Sequence, residues 1–126
     1  MTRWLPAILL SLGIPVAALN AQDTAPDSAT IAAGQKIFEG RGLCFSCHGK
    51  AGEGMLGPTT RLTAAKEWLH HDGSLAGIAA VITAGIDAEH SKGGTVMPPL
   101  GGARLNPTQV QQVAAYVWSL HRRKEP

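Results

Sequence analysis

An all-α fold is predicted by three observations: apolar residues recur at helical spacing in three segments, strand-like alternation is nowhere sustained, and the intervening stretches are rich in glycine and proline. The 126-residue chain has no internal repeat. Each element has a local reason in the sequence.

Arg3 precedes an apolar stretch over residues 5–19, broken by Pro6 and Pro15, with small residues at Ala17, Ala18 and Ala21. This pattern is expected for a secretory signal peptide over residues 1–21, which directs the mature chain to the periplasm. Cleavage after Ala21 is preferred and cleavage after Ala18 is the alternative, because residues 22–28 form a polar leader suited to processing. The stretch is short and interrupted for a membrane span, so no stable membrane insertion is expected once it is removed; an uncleaved anchor is the competing reading. Residues 29–126 suffice for one small domain with a thin core. Without Arg3 the formal charge falls from +2 to +1, and the basic residues are scattered apart from Arg122, Arg123 and Lys124. Such a distribution offers no nucleic-acid-binding patch.

Ile31, Gly34, Ile37 and Phe38 share one face, predicting a helix over residues 29–39 that stops at Gly40 and Gly42. Cys44, Phe45, Ser46, Cys47 and His48 then spell C-x-x-C-H, the attachment signature for c-type haem. Two thiols at this spacing can each add to a haem vinyl group, and the adjoining imidazole can reach the iron from the same side. A small disulfide, a redox dithiol or half a zinc site are the competing readings. Zinc would need a second cysteine pair or a histidine cluster, and the chain has only two cysteines. A thioredoxin-like dithiol expects strands and helices in βαβ order, which the sequence lacks. One haem c, covalent through Cys44 and Cys47, is therefore the expected cofactor, and its apolar surface would complete a core this small.

Four glycines fall in residues 49–58, and four glycines and two prolines in residues 93–102, predicting two ordered loops. Between them Ser74 is placed to cap a helix whose face is Leu75, Ile78, Ala79 and Ile82, with Gly85 as its stop. Asn106 is the N-cap of the last helix, with Pro107 at its first position and Gln109 at the capping-box position. Val110, Val113, Ala114, Val117 and Leu120 make its apolar face, and the terminal Arg122, Arg123 and Lys124 suit a helix C-terminus.

An iron held by His48 needs a sixth ligand or a vacancy. Met97 precedes Pro98 and Pro99, which stiffen the backbone beside its sulfur, and it is the preferred ligand. His90 is the rival. Met55 is only seven residues beyond His48 and reads as a loop or pocket-wall methionine, while His70, His71 and His121 read as solvent-exposed. If Met97 is merely an apolar plug, the iron stays open to gases or peroxide; if it ligates, the site favours electron transfer.

In combination these features resemble a class I cytochrome c of the small bacterial kind: Gly34 and Phe38 on a first helix, C-x-x-C-H, Gly57-Pro58, the Met97-Pro98-Pro99 loop, and Val113 and Tyr116 on a last helix. The resemblance implies a cytochrome c-like fold of three to five helices wrapped around one covalent haem. It also implies a close crossing of first and last helices at Gly34, Phe38 and Tyr116, and a Pro58 carbonyl that accepts a hydrogen bond from His48 Nδ1–H. Trp68 or Arg61 would approach the haem propionates, and residues 87–94 would be an insertion, serving a partner or simply tolerated.

The expected function is that of a periplasmic single-electron carrier with His48/Met97 ligation, exchanging electrons with redox-protein donors and acceptors. It is not expected to be an enzyme in itself. A haem c subunit of a periplasmic dehydrogenase or a membrane-bound respiratory oxidase is the close alternative. A ligand-binding or peroxidatic protein with an open sixth site comes third.

Overall fold

A computed structural model describes residues 1, 24–63 and 68–123. The expected signal peptide over residues 1–21, apart from Met1, lies outside the described residues, as do the first two residues of the polar leader and Lys124. No helix among the described residues is long and apolar enough to cross a membrane.

The first helix, α1 (Ser28–Glu39), begins one residue earlier than periodicity suggested, because Asp27 caps it. Its carboxylate accepts from the Thr30 amide at 2.8 Å and from the Thr30 hydroxyl at 2.8 Å, satisfying donors that the first turn would otherwise leave unpaired. The single turn α2 (Phe45–His48) carries most of the C-x-x-C-H motif. The third helix, α3 (Leu75–Ala84), starts at the Ser74 cap and ends at Gly85, whose amide donates to the Val81 carbonyl. The last, α4 (Pro107–His121), has a full capping box in which Asn106 Oδ1 accepts from the Gln109 amide at 2.9 Å and Gln109 Oε1 accepts from the Asn106 amide at 3.0 Å.

Two short 3-10 turns, Pro58–Thr60 and Pro99–Gly102, complete the order α1, α2, turn, α3, turn, α4. The three helices expected from periodicity are all present, and the architecture is all-α as predicted. The only β pairing among the described residues is an isolated antiparallel bridge between Ile86 and Met97.

The core forms where α1 and α3 pack on α4. At the α1–α4 crossing a Cβ on Gly34 would overlap the Gln112 carbonyl, so only glycine lets the two backbones approach this closely. One turn further along, Phe38 and Tyr116 meet edge to face with ring centroids 5.1 Å apart. Both are 1% exposed, and full burial of a side chain such as Phe38 contributes roughly 1.5–3 kcal/mol. On the other side Ile78, Ala79 and Ile82 of α3 join Val113, Val117 and Leu120 of α4. The small core thus leaves one wall of α4 facing a hollow between α3 and the loops.

Candidate functional site

That hollow is a cavity of about 370 Å³. Phe38, Ile78, Ile82, Val113 and Val117 give it an apolar lining, and Cys44, His48 and Met97 all border it. A smaller side pocket of about 100 Å³ shares these last three residues and adds Cys47.

His48 stands at the end of α2, with Nδ1 2.7 Å from the Thr60 carbonyl oxygen. The carbonyl can only accept, so Nδ1 carries the proton and Nε2 keeps the lone pair. Burial holds the imidazole below its ordinary pKa, an effect the Thr60 bond opposes. The ring is therefore neutral at pH 7, the form that binds a metal.

The acceptor corrects one expectation. Pro58, anticipated as the partner of His48 Nδ1–H, instead accepts the Arg61 amide at 3.2 Å while its side chain lines the cavity. The 3-10 turn is the physical reason: its i to i+3 bonding occupies the Pro58 carbonyl and leaves that of Thr60 available to the ring. A backbone acceptor leaves no signature in side-chain identity, which is why sequence reasoning missed Thr60.

Cys44 and Cys47 are both free thiols. Cys44 Sγ donates to the Gly42 carbonyl at 3.4 Å, and burial pushes its thiol up to about 11. Leu43, just before it, takes a left-handed backbone with φ 57°, which costs a leucine roughly 1–2 kcal/mol. The motif is thus entered through a strained residue.

Met97 is held by its backbone. Its amide donates to the Ile86 carbonyl at 2.8 Å and its carbonyl accepts from the Ile86 amide at 2.7 Å. Gly85 makes this possible, since at its φ of 70° a Cβ would collide with the Met97 carbonyl. The Met97 side chain packs against the core cluster beside the cavity.

The other ligand candidates are placed differently. His90 does not line the cavity that His48 borders but edges a separate, open hollow of about 710 Å³ together with Met97; its side chain is 74% exposed and its Nδ1 pairs with Asp87 Oδ1 at 2.7 Å. Met55 is 63% exposed on its loop. His70, expected in solvent, is partly buried and borders the cavity. His71 and His121, also expected in solvent, are partly buried. Both pack on Trp68, with centroid distances of 4.3 Å and 4.0 Å, and His71 borders the cavity as well. Trp68 and Arg61 also line the cavity.

The chemistry of this donor set fits a covalently held haem. Two unpaired thiols and a neutral imidazole lie along one short segment, a thioether borders the same apolar hollow, and no group of three or more His, Cys, Asp or Glu side chains suited to a metal ion competes among the described residues. Fold and site together define a small helical domain built around a thiol-anchored prosthetic group.

Comparison with known proteins agrees. The Cytochrome c family model matches residues 31–121, and the chain belongs to that family. Family membership makes it an electron-transfer protein with covalent haem c, for which Cys44 and Cys47 supply the thiols. It is 38% identical to the cbb3-type cytochrome c oxidase subunit FixP of Rhizobium etli over 92 residues, covering 71% of this chain and 30% of the relative. It is 36% identical to the cbb3-type cytochrome c oxidase subunit FixPc of Rhizobium leguminosarum bv. viciae over 111 residues, covering 83% of this chain and 37% of the relative. The chain thus spans about a third of the length of these relatives. Among solved structures it resembles a chain of the reducing HAO-like protein complex of Kuenenia stuttgartiensis, with a TM-score of 0.57 and 24% identity over 79% of this chain and 47% of that one. That last likeness is one of fold.

Proposed function

We propose that this protein is a single-electron carrier of the periplasm in which His48 and Met97 are the two axial ligands of the haem. The carrying observation is that both residues border one cavity while each is fastened from behind, His48 by the Thr60 carbonyl and Met97 by its bridge to Ile86. Bound haem supplies a reversible one-electron couple.

The chain supplies the rest. Thr60 fixes the tautomer of His48, so the Nε2 lone pair needs no proton loss to ligate. The Ile86 bridge keeps the Met97 backbone in place in both oxidation states, limiting the rearrangement that accompanies transfer. Phe38, Ile78, Val113 and Val117 exclude water, which disfavours the extra charge of the ferric state and raises the potential together with the thioether.

The test is the absorption spectrum of the purified ferric protein. A weak far-red band of methionine-bound low-spin haem is expected, and it should vanish in Met97→Ala while carbon monoxide gains access to the ferrous form. A high-spin ferric spectrum in the unmutated protein, with carbon monoxide binding at once after reduction, would overturn the ligand assignment and favour the open-site reading.

The names of the relatives favour a second reading of the same chemistry, in which the chain works as a haem c component of a respiratory oxidase assembly. Copurification with a larger enzyme at native abundance would support it, and a monomer recovered free of other proteins would favour the shuttle.

A further inference from the structure

Thr60 is the only buried residue of polar or charged type among the described residues, at 4% exposure. A hydroxyl in such a place costs free energy unless it is bonded. Here it is fully used: Oγ1 donates to the Gly57 carbonyl at 2.9 Å and accepts from the Leu56 amide at 3.3 Å. The same Leu56 amide also reaches the Cys47 carbonyl at 3.4 Å, the Met55 amide donates to the Cys47 carbonyl at 3.0 Å, and the Gly54 amide donates to the His48 carbonyl at 2.8 Å.

These bonds close a ring. From the His48 carbonyl the path runs through the loop at residues 54–57 to the Thr60 hydroxyl, and from the Thr60 carbonyl back to His48 Nδ1. The loop is anchored to the backbone of the residue whose side chain it orients. Both partners of that hydroxyl, Gly57 and Leu56, belong to the loop itself.

We propose that Thr60 is the positioning residue for His48, its hydroxyl clamping the 54–60 loop so that its own carbonyl stays aimed at Nδ1. The inference rests on His48 being an axial ligand and deepens that reading. A firmly held Nδ1–H···O bond makes the imidazole a stronger electron donor through Nε2 and so stabilises ferric iron. Loosening the clamp therefore raises the reduction potential.

The experiment compares the haem-loaded wild type with Thr60→Val, which keeps the shape and removes the hydroxyl, and Thr60→Ser, which restores it. Two quantities are read: solvent exchange of the His48 Nδ1 proton in the ferrous protein by nuclear magnetic resonance, and the reduction potential. In Thr60→Val the exchange should be about tenfold faster and the potential higher, and Thr60→Ser should return both to wild-type values. Wild-type exchange and potential in Thr60→Val would overturn the proposal, as would a serine variant that behaves like valine. If Thr60→Val takes up no haem, the serine variant decides: slow exchange upholds the clamp and fast exchange overturns it. A wild type whose His48 signals lack haem-induced shifts would overturn the ligand assignment and this inference with it, a result distinct from an unmoved valine variant.

Discussion

Gly34 of α1 lies so close to the Gln112 carbonyl of α4 that a single methyl group on it would overlap that oxygen. The neighbour is backbone inside a helix and cannot swing aside. We expect Gly34→Ala to separate the two helices and cost roughly 3 kcal/mol, at the upper end of overpacking penalties, measured by thermal or denaturant unfolding of the haem-loaded protein. An unchanged midpoint would mean that the crossing is less tight than described.

Phe38→Ala at the same crossing leaves a void instead of a clash. Its ring contacts Tyr116 edge to face and lies 6.3 Å from the His48 ring, and a truncation of this kind costs roughly 3–5 kcal/mol. Denaturant titration should show the loss, and because the ring also lines the cavity, the haem absorption should shift with it.

Helix capping gives a smaller and cleaner expectation. Asn106→Ala removes the side-chain half of the α4 capping box and should cost about 1 kcal/mol in the same assay, with the haem spectrum untouched.

Covalent attachment is checked by mass. The double variant Cys44→Ala/Cys47→Ala should yield a polypeptide whose denatured mass lacks the haem, while each single variant retains at most one thioether link. Full-mass holoprotein from the double variant would contradict attachment through these thiols.

The acid limb of stability should report on the histidines beside Trp68. His71 is held below its ordinary value first by burial, with Asp72 pulling the other way, and His121 by burial and then Arg122. A depressed histidine leaves the folded chain binding fewer protons than the unfolded one, so stability is complete above the unfolded value of about 6.5 and falls as the pH drops through it. The unfolding midpoint should therefore decline between about pH 7 and pH 5, and less so in His71→Gln/His121→Gln. Equal declines in both proteins would assign the acid sensitivity to other groups.

Much of the fold and site was legible in the residues. Helices α3 and α4 declare themselves because Ser74 and Asn106 are capping residues set directly before apolar faces, and the C-x-x-C-H motif names its own chemistry. The start of α1 was missed by one residue because a cap is decided by side-chain geometry at Asp27, not by periodicity. Thr60 was invisible for a different reason: every residue owns a carbonyl, and only the 3-10 turn determines which one is free to face His48. The partial burial of His71 and His121 depends on Trp68 lying against both, a tertiary arrangement with no local pattern behind it. Left-handed leucines at positions 43 and 100 were likewise unreadable, since such geometry is normally announced by glycine.

The ring of bonds around His48 has a consequence for the order of events in assembly. Its longest step, from His48 to Thr60, spans only twelve residues, whereas Gly34 and Gln112 must meet from opposite ends of the described domain. Closing a short loop sacrifices less chain entropy than closing a long one. The segment bearing both thiols and the imidazole can therefore organise itself before the terminal helices find each other. A nascent chain would present a shaped attachment loop first and complete the Met97 side afterwards.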